Sequence, residues 1–173
     1  ALYAFVVDGR QLPDPFARWL PRGVHGPAAV VASTFAWQFG AGVTRPAEQH
    51  VIYELHVGTF TEAGTFHAAI GHFAELANLG VTTIQLMPVA AFDGAHGWGY
   101  DGVAPYAPHA AYGTPDDLRR LVDEAHGLGL SVILDVVYNH YGPAGNYLGA
   151  YDPAFFDDQL KNAWGAAPNF RHP

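Results

Sequence analysis

The sequence predicts an α/β chain in which the end of a short antiparallel β module is followed by βα units laid out for a parallel sheet. Three observations carry this prediction. After about position 45, strand-like and helix-like hydrophobic periodicity alternate. The helix-to-strand connections shrink to about one glycine each, at Gly80 and Gly129. The third strand candidate, residues 130–137, is a nearly continuous apolar run rich in β-branched residues, as expected of a parallel strand covered on both faces.

Before position 45, short aromatic and β-branched pieces at 2–7 and 30–37 are separated by turn chemistry, Asp8-Gly9 and Leu12-Pro13-Asp14-Pro15. They read as the end of a small antiparallel module, and residues 44–48 as a short connector. Residues 51–57 form the next strand candidate. Residues 65–79 then put Phe66, Ile70, Phe73, Ala74 and Ala77 on one helical face, which Gly80 can close in the left-handed conformation. Residues 81–87 are a strand stopped by Pro88. The next helix carries strong start signals: Thr114 as N-cap, Pro115 at the first position and Asp117 three residues after the cap. Leu118, Leu121, Val122 and Ala125 form its apolar face, and Gly129 its stop. The expected division is 1–45 for the β module and 46–173 for the βα part.

Composition narrows the function classes. The 173 residues suffice for a buried core, and half are hydrophobic against 14% charged, which is globular and not disordered. Sixteen acids against eight bases give a net charge of −8, and the residues after 50 carry −9 of it. A nucleic-acid partner held by counterion release is disfavoured, as is an anionic membrane surface. No apolar run approaches the roughly 18 residues of a membrane span. Without cysteine there is no disulfide framework or thiolate zinc site, and a reducing, cytoplasmic setting is expected. An opening Ala1, a single methionine at Met87 and strand character from the first residues point to a piece of a longer chain.

The working face is predicted from loop length. The connection 88–113, about 26 residues, is rich in Trp, Tyr, His and Gly, and loops beyond roughly 12 to 15 residues are usually functional or disordered. It follows a strand's carboxyl end, where parallel α/β folds, barrels and open sheets alike, place their ligands. Gly97-Trp98-Gly99-Tyr100-Asp101-Gly102 matches the dinucleotide pattern G-x-G-x-x-G, but the preceding strand ends about ten residues earlier and three prolines separate the glycines from the next helix. A sugar site fits better. Trp98 and Tyr100 offer aromatic faces, and Asp101 and His96 polar edges, matching the apolar C–H faces and hydroxyls of a pyranose. The plain alternative is that both rings only pack the loop.

The third strand ends in Asp135-Val136-Val137-Tyr138-Asn139-His140. If the strand runs that far, Asp135, Val137 and Asn139 share one face, and a carboxylate among Val and Leu needs a partner. His140 reads plainly as a loop histidine with a structural hydrogen bond. Glu54 and His56 alternate on one face of the first strand, while Asp116, Asp117, Asp123 and Glu124 read as helix-start or solvent-face charges. Ten histidines without an H-E-x-x-H motif or an i, i+4 pair give no catalytic metal site, and no cofactor is expected. There is no G-x-S-x-G elbow and no P-loop.

With these residues assembled, the chain resembles the α-amylase family of glycoside hydrolases, family 13. The run 135–140 is similar to that family's first signature region, and Gly80-Val-Thr-Thr-Ile-Gln-Leu-Met-Pro88 to its second barrel strand. The stretches 89–102, Tyr106-Ala-Pro, Tyr112-Gly and 139–148 are most similar to the branch that releases trehalose from maltooligosyltrehalose, with His96 where that loop is expected to hold arginine. The resemblance covers nearly the whole chain. It implies the first three βα units of a TIM (β/α)8 barrel, preceded by the end of a β-sandwich module of carbohydrate-binding type.

The resemblance also implies roles. Tyr100 would stack on the glucose next to the scissile bond, His140 would hydrogen-bond its outer hydroxyls, and Asp135 would orient an arginine of a later strand. Trp98, Asp101 and Asn139 would border the same site. Asn139 matches a position that helps bind calcium in many members, though the trehalose-releasing branch generally lacks that ion. The implied reaction is hydrolysis of the α-1,4 bond adjoining a terminal trehalose unit, with an α-glucan oligosaccharide as partner. A glycogen branching or debranching enzyme, or a non-catalytic glucan-binding piece, is the alternative. The family's nucleophile and acid/base come from the fourth, fifth and seventh strands, so a chain ending at Pro173 after the third is expected to be inert alone and, with open sheet edges, to associate.

Overall fold

The computed structural model describes residues 1–32, 34–40, 42–160 and 162–171. Its elements in chain order are β1 (Leu2–Tyr3), β2 (Phe5–Val7), β3 (Arg10–Leu12), β4 (Ala28–Ala29), β5 (Ile52–Leu55), α1 (Val57–Phe60), α2 (Phe66–Ile70), α3 (Phe73–Leu79), β6 (Thr83–Leu86), β7 (Ala90–Ala91), β8 (Ala104–Pro108), α4 (Pro115–Gly127), β9 (Ser131–Leu134) and α5 (Leu148–Tyr151). These gather into two compact units that interleave in sequence. The first comprises Ala1–Val31, Ala90–Ala110 and Val136–Pro173, and the second Ala32–Val89 and Ala111–Asp135.

The second unit holds the βα alternation. Its sheet has the order β5-β6-β9 and is parallel throughout, with Ile52 opposite Thr83 and Thr83 opposite Ser131. β6 is central and buried, and Ile84 and Leu86 are closed off from solvent. The expected helix over 65–79 is two helices. The N–H of Gly71 reaches back to Ala68 O and that of His72 to Ala69 O, a tightened turn at a residue with weak helical preference. Gly80 ends α3 at φ 98°, as the sequence predicts. At α4 the capping box is complete: Thr114 Oγ1 accepts from the Asp117 N–H, and the Asp117 carboxylate accepts from the Thr114 N–H.

Four expectations are corrected. The strand over 130–137 stops at Leu134, and its last two residues are exposed, Ile133 at 39% and Leu134 at 45%. β9 lies at a sheet edge among the described residues, so the two-sided burial that an apolar run implies is not met. Because β9 ends before Asp135, strand alternation cannot place Asp135, Val137 and Asn139 on one face. Asp123 is not a solvent-face charge. It is 4% exposed, and its carboxylate accepts the N–H groups of Gln38 (2.9 Å) and Phe39 (3.0 Å).

The connector and the residues just before it are held at Arg45 and Gly40. Arg45 donates from its guanidinium to Gly129 O at 2.7 Å and to Ser131 Oγ, and His126 Nδ1 lies 2.9 Å from Gly40 O. No strand forms over 30–37 among the described residues; the Val30 N–H donates to Ala1 O, and the Gln38 and Phe39 N–H groups just beyond that stretch meet the α4 carboxylate, while Ser33 lies outside the described residues.

In the first unit the expected strand 2–7 is split. β1 pairs antiparallel with β4, and β2 with β3 through a turn in which Asp8 (φ 49°) and Gly9 (φ 76°) are both left-handed. The long connection 88–113 is not structureless. β7 and β8 pair antiparallel within it, and their Ala91, Ala104 and Ala107, with the intervening Val103, share a buried cluster with Ala17, Leu20, Val24 and Ala28. Small residues on both sides let the hairpin approach closely.

Candidate functional site

The sugar-site residues expected from the sequence fall mostly in the first unit. Trp98 and Tyr100 stand in the loop between β7 and β8, 64% and 42% exposed. Its glycines have steric reasons. Gly99 sits at φ 90°, turning the backbone between the two rings, and a Cβ on Gly97 would lie 2.8 Å from the Phe92 ring. The run G-W-G-Y-D-G is therefore a packed turn inside a hairpin, without a helix N-terminus behind it for a phosphate.

His140 is joined to this loop. The ring is 5% exposed, and its Nε2–H donates to the Tyr100 carbonyl oxygen at 2.9 Å. With Nε2 protonated, Nδ1 is an acceptor; it is buried, with no hydrogen-bond partner among the described residues. The Trp164 ring lies over His140 at 6.0 Å and 39°. The strand-end segment is tied down by two backbone bonds, Gly142 N–H to Gly102 O and Tyr141 N–H to Ala166 O, and by the Asn162 side chain, whose Nδ2 donates to Asn139 O. Gly142 packs so closely on the backbone of Asp101 that a side chain there would collide with it.

The structure thus brings Tyr100, Asp101, Asn139 and His140 together on neighbouring segments, with Trp98 two residues from Tyr100 and the Asp101 and Asn139 side chains exposed. Asp135 belongs to the second unit. It is half-buried, and its N–H continues the β6 ladder by donating to Leu86 O. Glu54 and His56 part company: the Glu54 carboxylate accepts from Gln85 Nε2 at 2.7 Å, while His56 Nε2 lies 3.0 Å from the Tyr112 hydroxyl. Burial pushes the Tyr112 phenol up to about 12, so it remains a neutral donor.

Sequence reasoning missed Trp164, Gly142 and His109. Only long-range packing brings Trp164 to His140. His109 is buried and stacks flat on Phe92, centroids 3.8 Å apart and planes 9° apart, and desolvation lowers its pKa below the usual histidine value. Among the described residues no three His, Cys, Asp or Glu side chains gather where they could hold a metal ion. No helix among them is long and apolar enough to cross a membrane.

A parallel βα sheet in one unit, and in the other an aromatic loop joined to a buried histidine, define an α/β protein whose long loop follows the carboxyl end of a parallel strand. The particular family follows from comparison: residues 12–154 match the model of the α-amylase catalytic domain. The chain belongs to the α-amylase family.

Over its whole length it is 55% identical to the malto-oligosyltrehalose trehalohydrolase of Deinococcus radiodurans, of which it spans 29%. It is 36% identical over 192 aligned residues, 98% of this chain and 30% of the relative, to the 1,4-alpha-glucan branching enzyme GlgB of Oleidesulfovibrio alaskensis. A crystal structure of a Salmonella typhimurium protein provisionally designated an alpha amylase superposes with a TM-score of 0.95 at 50% identity, covering 99% of this chain and 30% of that one.

Proposed function

We propose that this chain is part of a retaining α-glycosidase that cleaves the α-1,4 bond next to the terminal trehalose unit of maltooligosyltrehalose, releasing trehalose. The observation that carries the reading is the 55% identity, averaged over the whole chain, to a malto-oligosyltrehalose trehalohydrolase. In this reading residues 1–45 are the end of a β-sandwich module, and 46–173 hold the first three βα units of the barrel.

The loop geometry supports a sugar-binding role. Tyr100 and Trp98 present ring surface to solvent, and the His140 bond to the Tyr100 carbonyl fixes the backbone that carries the stacking ring. A ring held in place before binding costs less ordering entropy when a pyranose stacks on it. His140 acts first on the loop; its reach to the glucose hydroxyls requires the ring to exchange that carbonyl for sugar. Asp101 and Asn139 supply exposed polar edges, and Asp135 orients an arginine of a later strand. In a retaining mechanism two further carboxyl groups, about 5 to 5.5 Å apart, act as nucleophile and acid/base.

The test uses the protein as its gene encodes it, incubated with maltotriosyltrehalose. Trehalose and maltotriose in equal amounts are the expected products. The branching-enzyme relative supports a second reading, in which an α-glucan segment is transferred and not hydrolysed. New branch points in amylose, with no free trehalose from the capped substrate, would decide for it.

A further inference from the structure

Three side chains that the proposed reaction does not use meet at one point of the first unit. His25 lies in the connection between β3 and β4, Asp93 follows β7, and Tyr147 directly precedes α5. The Tyr147 hydroxyl is 2.7 Å from His25 Nδ1, the Asp93 carboxylate is 3.3 Å from His25 Nε2, and the two rings meet edge to face at 5.9 Å and 88°. An ionised carboxylate only accepts, so Nε2 carries the hydrogen and Nδ1 accepts from the phenol. Protonating the ring reverses the phenol alone, which then accepts from Nδ1–H. Both contacts hold in either charge state.

The connectivity gives this cluster its meaning. Asp93 begins the run that leads through Gly94, Gly97 and Gly99 to Tyr100, and Tyr147 ends the run that begins at His140. Those two runs are joined at their inner ends by the His140 bond to Tyr100 O and at their outer ends through His25. Within the run Gly97 packs on the Phe92 ring, and His25 adds a further tie at the outer end, where a glycine-rich backbone has conformational freedom to lose. The His25 and Asp93 side chains are 55% and 48% exposed, so their contact adds little to global stability, and its effect falls on the order of the loop.

We propose that His25 is a positioning residue that closes this clamp and holds the Trp98 and Tyr100 rings ready for an α-glucan. The substrate part rests on the function proposed above. Releasing the clamp lowers the fraction of molecules with the loop in its binding arrangement, and apparent affinity falls by that same fraction.

The experiment compares wild type with His25→Ala, His25→Gln and Tyr147→Phe in the protein as its gene encodes it. In His25→Ala, amide exchange over 94–101 is expected to accelerate about fivefold while 52–55 is unchanged, as loss of two exposed polar contacts implies. KM for maltotriosyltrehalose should rise by a similar factor with kcat nearly constant. Added imidazole should recover part of the loss, His25→Gln should lie between the two, and Tyr147→Phe should lose less. Unchanged exchange over 94–101 overturns the clamp. Faster exchange with an unchanged KM overturns its positioning role. A wild-type protein that neither binds nor cleaves the glucan overturns the substrate reading instead, and the exchange data still decide the clamp.

Discussion

Removing the Asp123 carboxylate should release the backbone at Gln38 and Phe39 from α4. Its two oxygens accept from Gln38 N–H at 3.1 and 2.9 Å and from Phe39 N–H at 3.0 Å, and the residue is 4% exposed. A hydrogen bond to a charged acceptor is worth about 1.5 to 3 kcal/mol. Gln38 and Phe39 are exposed, so water replaces part of what Asp123→Ala removes, leaving a local cost of about 2 kcal/mol. That corresponds to roughly 30-fold faster opening of the two amides. Asp123→Asn keeps one acceptor and loses the charge, so about 1 kcal/mol and roughly fivefold faster opening are expected. Hydrogen exchange resolved at Gln38 and Phe39 reads this directly. The Ser131 amide, bonded to Thr82 O within the sheet, is the control and should change less than about twofold. Unchanged protection of Gln38 and Phe39 in Asp123→Ala would refute the claim that this carboxylate anchors their backbone.

Other consequences follow from the site. Tyr100→Ala should weaken glucan binding by roughly tenfold, read by titration with maltotetraose, since it removes the stacking face; equal affinity would count against the stack. Gly142→Ala sets a methyl group against the Asp101 backbone, which cannot swing aside as a side chain can, and should cost about 1 to 3 kcal/mol, seen as faster exchange over 100–102. For His109, desolvation by burial lowers the pKa from 6.5 in the folded state. The unfolded chain therefore binds more protons just below that value, and the stability this group contributes is full above about 6.5 and declines as pH falls toward the folded value. Its ring should titrate below 6.5 by NMR, and the thermal midpoint of His109→Gln should fall less steeply than that of wild type as pH drops through this window.

Much of the α/β pattern was legible because it is written locally. Thr114, Pro115 and Asp117 specify a helix start through hydrogen bonds three residues apart, Gly80 closes α3 because only a residue tolerant of positive φ ends a helix that way, and Asp8-Gly9 makes a hairpin turn. The break at Gly71 and His72 was less legible, since one glycine within a good amphipathic face leaves the periodicity intact. The apolar run 130–137 suggested a strand buried on both faces, but burial depends on what lies beside a strand, and Ile133 and Leu134 are exposed at the sheet edge.

The candidate site divides in the same way. By itself, the sequence determined which chemistry was available: aromatic faces at Trp98 and Tyr100, polar edges at Asp101 and Asn139, and a histidine six positions into a strand-end motif. Side-chain type and spacing along the chain suffice for that. Only the tertiary structure decided that His140 is buried and bonded to the Tyr100 carbonyl, that Trp164 lies over it, that Asp123 grips the backbone of Gln38 and Phe39, and that His25 joins Asp93 to Tyr147. His25 and Tyr147 are 122 positions apart. A hydrogen bond acts over about 3 Å whatever the separation in sequence, so no local pattern encodes it, and only the packed chain brings its partners within reach.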